Sequence, residues 1–141
     1  LGHLAYYVPG ALFCGDTLFG GGCGRLFEGS PAQMSQSLAS IAELSDDTLI
    51  YCAHEYTEAN LRFAVAVESL NTNLQARVKR VAELRAAGLP SVPSTLAEEK
   101  ATNPFMRSGE PAVIAAAMEH AAVDRSKVAV FAAIRQWRNS F

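Results

Sequence analysis

A mixed α/β chain, strand-rich to about residue 54 and helical beyond it, is the fold class this sequence predicts. Three observations predict it. Short β-type apolar runs occupy residues 4–8, 11–14 and 48–53. A helix with a full set of start signals stands between the last two. After Thr57 the apolar residues recur at helical spacing, with Gly, Pro and capping residues as punctuation. The expected division is 1–54 and 55–141.

Each element has a local reason. Residues 4–8 and 11–14 flank Pro9-Gly10, which reads as the two-residue turn of a hairpin. Ser30, Pro31 and Gln33 supply an N-cap, a first helical residue and a capping box, and Met34, Leu38 and Ile41 follow on one face. Asp46-Asp47 closes that helix and leads into the strand at 48–53. Thr57 is expected to cap a helix carrying Leu61, Ala64, Val65 and Val67. Leu74, Val78, Val81 and Leu84 mark the next, stopped by Gly88 and Pro90. Residues 91–93 read as a linker. Thr95 with Glu98 offers a second capping box, Asn103-Pro104 a turn, and Pro111 the start of a short helix to Met118. Asp124 is expected to cap the last helix, which runs to about Asn139. No internal repeat or low-complexity tract interrupts this order.

The bulk numbers narrow the function classes. A chain of 141 residues, half of them hydrophobic, can bury a real core. The formal net charge of −2 gives no electrostatic case for nucleic acid or an anionic membrane. No apolar run is long enough to span a bilayer. The start, Leu1-Gly2-His3-Leu4-Ala5-Tyr6-Tyr7, has no basic region or cleavage pattern of a signal peptide. It lacks an initiator Met and begins inside a patterned segment, so the chain is expected to be the later part of a longer protein. Cys14, Cys23 and Cys52 are odd in number, without a C-x-x-C pair, which argues for a reducing, cytoplasmic setting. As buried thiols they would act as small hydrophobes. Cys14 and Cys52 each lie two residues before a candidate ligand, on the same strand face.

Those candidates are His3, Asp16 and His54. Asp16 and His54 each fall just past the C-terminal end of a strand, the edge where layered α/β folds build sites. Neutral imidazoles and a carboxylate suit a borderline divalent metal, and a carboxylate can serve two ions with one oxygen each. Taken singly, each residue also fits a turn or a cap. The run Gly20-Gly21-Gly22-Cys23-Gly24 matches no nucleotide-binding loop. Its glycines are expected to let the backbone approach the metal site and to swing Arg25 toward it. Arg135 and Arg138 are three apart on the last helix, and Arg135 continues an inward stripe of Val128 and Phe131. They suit carboxylate recognition, although spacing alone favours a solvated basic helix end. Tyr56 could hydrogen-bond a ligand, His120 reads as a surface residue, and Trp137 and Phe141 as packing for the last helix.

Together, Gly2-His3-Leu4-Ala5-Tyr6, Gly15-Asp16-Thr17-Leu18-Phe19, Gly22-Cys23-Gly24-Arg25, His54-Glu55-Tyr56-Thr57, Asn103-Pro104-Phe105-Met106-Arg107 and Arg135-Gln136-Trp137-Arg138-Asn139-Ser140-Phe141 resemble the glyoxalase II (hydroxyacylglutathione hydrolase) family of the metallo-β-lactamase superfamily. The resemblance covers essentially the whole chain. It implies the second half of an αββα sandwich in residues 1–54 and a helical, glutathione-binding domain in 55–141. It implies a thioester hydrolase that cleaves S-D-lactoylglutathione to D-lactate and glutathione, in methylglyoxal detoxification. Two divalent ions would serve it, zinc first, with iron or manganese as alternatives. His3 would bind one ion, His54 the other, and Asp16 would bridge them. Arg25, Phe27, Tyr56, Arg135 and Arg138 would hold glutathione. Phe27 stands where some members place Tyr, and Arg25 and Arg138 where some place Lys. The family's T-H-x-H-x-D-H motif does not occur in this sequence, so the chain by itself is expected to be inactive. The whole protein is expected to be a cytoplasmic monomer with no nucleic-acid or membrane partner. The alternatives are another hydrolase of the superfamily, a persulfide dioxygenase, or a non-catalytic fragment that binds glutathione.

Overall fold

In the computed structural model, which describes residues 2–121 and 124–141, the expected hairpin forms at the start of a four-stranded sheet. Strand β1 (Tyr6–Val8) pairs antiparallel with β2 (Ala11–Gly15) across Pro9-Gly10, and Gly10 takes the positive φ of +86° that the turn requires. A small second sheet, β3 (Leu18–Phe19) with β4 (Gly22–Cys23), is made from the glycine run. Helix α1 (Pro31–Ala42) then carries the chain to β5 (Leu49–Cys52), which pairs parallel with β2. The capping box is present in full: Ser30 accepts from the Gln33 amide, and Gln33 reaches back to the Ser30 amide at 2.9 Å.

The remaining chain is helical, apart from β6 (Ser94–Thr95), which closes the sheet in the order β1-β2-β5-β6. The helices are α2 (Thr57–Val67), α3 (Thr72–Ala86), α4 (Leu96–Thr102), α5 (Pro111–His120) and α6 (Lys127–Ser140). Two expected caps are replaced. Thr57 is the first helical residue of α2 and is fully buried, with Tyr56 in the cap position. Ser126, not Asp124, caps α6; the Asp124 carboxylate instead accepts from the Ser126 amide at 2.8 Å. The α6 cap thus lies two residues beyond where the sequence pattern put it, and the α2 cap one residue before, with no side-chain capping bond from Tyr56. Val128 is exposed, so the inward stripe of α6 begins at Val130 and continues through Phe131 and Ile134 to Arg135.

Strand pleat sorts the sheet into two faces. Leu12, Cys14 and Ile50 turn to the core, where they meet Leu38 and Ile41 of α1, Val130, Phe131 and Ile134 of α6, and Phe105. The opposite face is a row formed by Tyr6, Phe13 and Tyr51, with the Phe13 and Tyr51 rings stacked at 5.0 Å. Phe13 remains 47 % exposed there. A second, smaller core joins α2 and α3 through Leu61, Ala64, Leu74 and Val81.

One buried ionic network ties the helices to the small sheet. Arg77 of α3 and Glu99 of α4 are essentially inaccessible and meet at 2.5 Å. The Glu99 carboxylate also accepts from Ser94 Oγ at 2.6 Å, Asn103 Nδ2 at 3.0 Å and the Gly21 amide at 2.9 Å. Burial acts to lower the Arg77 pKa, and the adjacent Glu99 carboxylate more than offsets it, so the guanidinium holds its proton more tightly than usual.

Candidate functional site

The C-terminal edge of β2 and β5 opens into a cavity of about 820 Å³. Its walls include every residue singled out from the sequence: His3, Asp16, Arg25, Phe27, His54, Tyr56, Arg135 and Arg138. Pairing between β2 and β5 shifts register between Phe13 and Gly15, and Asp16 leaves the sheet at that point. His54 leaves β5 two residues beyond its end. The two side chains face each other, His54 Nε2 lying 3.5 Å from Asp16 Oδ1, and both are at least half exposed to the cavity.

His3 reaches the same place from the other side. Its Nε2 accepts a hydrogen bond from the Asp16 amide at 3.1 Å and lies 3.3 Å from the Cys14 carbonyl. Gly15 makes that approach possible: its φ is +54°, and a Cβ there would lie 2.5 Å from His3 Nε2. The three donors therefore share one corner, and their nitrogen and oxygen types suit a divalent ion of the zinc kind. Their number does not complete a site. His3 Nε2 is engaged by the backbone, and among the described residues no group of three or more His, Cys, Asp and Glu is arranged to hold a metal ion.

Aromatic rings form one wall. The Tyr56 ring stacks on His54 at 4.8 Å and tilts against Phe19 at 5.3 Å. Phe27 also lines the cavity and is 87 % exposed. Phe19 and Asn60 belong to the lining although sequence reasoning passed over them as site residues. Their signal was their position, inside the Gly-Asp-Thr-Leu-Phe block and one turn into the helix after His54.

Gly24 lets the chain pass close against the Asp16 backbone, whereas the other three glycines of the run work differently from expectation. Gly20, Gly21 and Gly22 face α2, not the metal corner: a Cβ on Gly20 would meet the Thr57 hydroxyl, one on Gly21 would meet Leu61 at 2.9 Å, and one on Gly22 would meet Asn60 at 2.6 Å. Asn60 Nδ2 donates to the Gly20 carbonyl, and Asn103 Nδ2 to the Phe19 and Gly22 carbonyls. The clamped hairpin delivers Gly24 and Arg25 to the cavity.

The arginines divide into two kinds. Arg135 is buried, and its guanidinium donates to the Cys23 carbonyl at 2.9 Å, the Gly24 carbonyl at 3.4 Å and Asn139 Oδ1 at 3.1 Å. It builds the cavity wall as well as lining it. Arg138 lies over the Phe63 ring at 5.8 Å and lines the cavity. Its pKa is held below the usual guanidinium range, first by partial burial and then by the positive fields of Arg135, Arg25 and Arg62. The mouth of the site is therefore a cationic cluster, suited to an anionic ligand.

Comparison with known proteins agrees with this geometry. The family described as hydroxyacylglutathione hydrolase C-terminus matches residues 55–141. The chain belongs to the hydroxyacylglutathione hydrolase family. Relatives named hydroxyacylglutathione hydrolase from Dechloromonas aromatica, Methylobacillus flagellatus and Photobacterium profundum are 69 %, 57 % and 52 % identical to it. Each match covers all of this chain and 55–58 % of the relative. The chain thus spans little more than half the length of the family members it matches. Among the described residues, no helix is long and apolar enough to cross a membrane.

Proposed function

We propose that this chain forms the glutathione-binding part, and a share of the reaction centre, of a thioester hydrolase acting on S-D-lactoylglutathione. The observation that carries the reading is the cavity itself. It joins a carboxylate–imidazole pair, Asp16 and His54, to a cluster of guanidiniums within one concave space. A thioester with two carboxylates needs both: polar groups at the acyl carbon and cations at its ends.

In this reading residues 1–54 belong to the second half of an αββα sandwich, and residues 55–141 form the helical domain that covers glutathione. The start of the family match at Glu55 supports that division. His3, Asp16 and His54 contribute three donors to a centre for two divalent ions, zinc first and iron or manganese as alternatives; the other donors come from outside this chain. Bound there, the ions supply a Lewis acid for the thioester carbonyl. This chain's own groups do the positioning. Arg25 and Arg138 hold carboxylate, Tyr56 and Phe19 close the apolar side, and Arg135 fixes the wall between them. Held in this way, the acyl carbon stays beside Asp16 and His54, and binding energy becomes orientation. The thiolate leaves readily because it is a far weaker base than an alkoxide. The three thiols are free, which suits the cytoplasm; the whole protein is read as a monomer.

The incomplete donor set favours a second statement about the chain alone: it binds glutathione thioesters and does not turn them over. The test is a chimera in which the Dechloromonas aromatica relative supplies the part of its length outside the match. Loss of the thioester absorbance of S-D-lactoylglutathione is then followed. Turnover near that of the relative is expected for the chimera and none for the chain alone. A folded chimera that binds metal and leaves the thioester intact would overturn the assignment.

A further inference from the structure

We propose that Glu55 is a positioning residue for His54 and acts through a clamp on Ser91. The proposal rests on the reading above, in which His54 stands at the reacting end of the cavity, and adds a residue to it. His54 lies in the stretch 53–56 between β5 and α2, which belongs to neither element. Backbone bonds hold the ends of that stretch: the Ala53 amide donates to the Gly15 carbonyl at 3.1 Å, and the Tyr56 carbonyl accepts from the Asn60 amide at 2.9 Å. The Cys52 thiol donates to the His54 carbonyl at 3.3 Å. The charged anchor is Glu55. Its Oε2 accepts from the Ser91 amide at 2.8 Å and its Oε1 from the Ser91 hydroxyl, so both oxygens grip one residue of the connection between α3 and β6. Arg85, in the last turn of α3, lies 3.9 Å from the same carboxylate and donates to the Leu89 carbonyl at 2.8 Å. The connection leaving α3 is thus closed around Glu55.

The sheet explains why a clamp is needed at this place. Strand β6 pairs with β5 only at Leu49 and Ile50. Beyond Ile50 the ladder on that side stops, and the connection meets the chain again at Glu55, through Ser91. Ser94 opposite Ile50 and Ser91 on Glu55 therefore frame the end of β5 from which His54 projects. The imidazole sits between two partners, Asp16 Oδ1 at 3.5 Å and the Tyr56 ring, stacked at 4.8 Å and 19°. A turn of the backbone at 54–55 would carry it off both. Glu55 is exposed and Ser91 half-buried, so the pair adds little to the core, and an exposed ion pair with Arg85 contributes little to stability. What the clamp fixes is the direction in which the next residue points. A misplacement of about 1 Å at a reacting group is enough to slow chemistry strongly.

The test reads the imidazoles of the full chain by proton–carbon correlation spectra at about pH 8.5, where an ordinary imidazole is neutral. Stacking on Tyr56 shields the His54 ring, so its signals report the contact directly. In Glu55→Ala and in Ser91→Ala those signals are expected to move toward the position of a free imidazole. The signals of His120, stacked on Trp137 at 4.2 Å, should stay in place. Glu55→Gln keeps an acceptor for the Ser91 amide and should move His54 less. In the chimera, both alanine variants should lower kcat roughly tenfold and leave KM within about twofold, because the clamp acts at the reacting end and not on glutathione. The double variant should be no worse than either single one. Unmoved His54 signals would overturn the proposal. So would equal movement at His120, which would mean general loosening, or moved His54 signals with an unchanged kcat. A folded chimera without turnover would overturn the thioesterase reading and not the clamp, which the imidazole signals decide alone.

Discussion

Glu99 Oε2 accepts a hydrogen bond from the Gly21 amide at 2.9 Å, so a buried carboxylate on α4 holds the tip of the β3–β4 hairpin. The same carboxylate meets Arg77 at 2.5 Å. Removing one member of such a pair leaves the other charged and buried. Glu99→Ala should therefore destabilise the chain by about 3–5 kcal/mol. The double change Arg77→Met with Glu99→Gln should cost less than Glu99→Ala, because no uncompensated charge remains. Urea unfolding at low protein concentration measures both. An equal or larger loss in the double variant would show that the hydrogen bonds to Gly21 and Ser94, and not the charge balance, dominate.

Gly24 has no room for a side chain, since a Cβ there would run into the Asp16 carbonyl oxygen. The obstacle is backbone and cannot swing aside. Gly24→Ala should cost about 1–3 kcal/mol, and it should displace Asp16 from His54. Gly10→Ala is the control: a Cβ there meets nothing within 4 Å, and only the positive φ opposes it. Thermal melts of the two variants are expected to show the larger drop for Gly24→Ala.

What the sequence made legible, and what it hid, follows range of interaction. Local codes read well: the Pro9-Gly10 turn, the Ser30–Gln33 box and the Pro111 start of α5 each depend on neighbours a few residues apart. The positions of Asp16 and His54 were legible because strand ends announce themselves. The role of Gly20, Gly21 and Gly22 was not. It depends on Thr57, Leu61 and Asn60, which approach from a helix some 35–40 residues away, as the pairing of Gly20 with Thr57 and Gly22 with Asn60 shows. Arg135 was read as inward-facing from its stripe, yet its carbonyl partners at Cys23 and Gly24 lie 112 and 111 residues away. Nothing local to α6 could name them.

The thiols should be inert in the folded chain. Burial pushes the Cys14 and Cys23 pKa values up to about 11, and raises that of Cys52 as well. At pH 8 a thiol of pKa near 11 is ionised in roughly one molecule in a thousand, and only the thiolate alkylates. Iodoacetamide labelling followed by mass spectrometry should find Cys14 and Cys23 unmodified until the chain is unfolded. The pH dependence has a definite sign. Unfolded thiols ionise near 9 and the folded ones near 11, so the unfolded state binds fewer protons between those values. Stability should fall as pH rises through that window and be unaffected by these groups below it. Rapid labelling of Cys14 in the native chain would contradict this account.

Binding and chemistry should separate at Arg138 and Asp16. Arg138 lies at the cavity mouth over Phe63, away from the Asp16–His54 pair. In the active chimera, Arg138→Ala should raise KM roughly tenfold or more and lower kcat less, because its contact is the same in ground and transition states. One lost charge-assisted contact costs about 1.5–3 kcal/mol. Asp16→Ala should do the reverse, lowering kcat with a smaller effect on KM. An unchanged KM for Arg138→Ala would leave that residue as a solvated helix end.

The outer face of the main sheet sets the behaviour of the chain in solution. Tyr6, Phe13 and Tyr51 form one cross-strand row, and Val8, Ala11 and Leu49 the adjoining row on the same face. Tyr6, Val8, Phe13 and Leu49 are all exposed, and β1 presents an unpaired edge beside them. An apolar sheet face next to an open strand edge is a template for association. The chain is therefore expected to self-associate as its concentration rises. A charge placed on that face should suppress it. Phe13→Lys removes the ring that stacks on Tyr51 but leaves the buried partners of β2, Leu12 and Cys14, untouched. Its cost in stability should be about 1 kcal/mol or less, the scale of one cross-strand pair. Sedimentation velocity over a concentration series is the measurement. Concentration-dependent association of the unsubstituted chain, and its reduction in Phe13→Lys, are the expected results. A soluble monomer with a sharp, cooperative melt at high concentration would show that this face does not drive association.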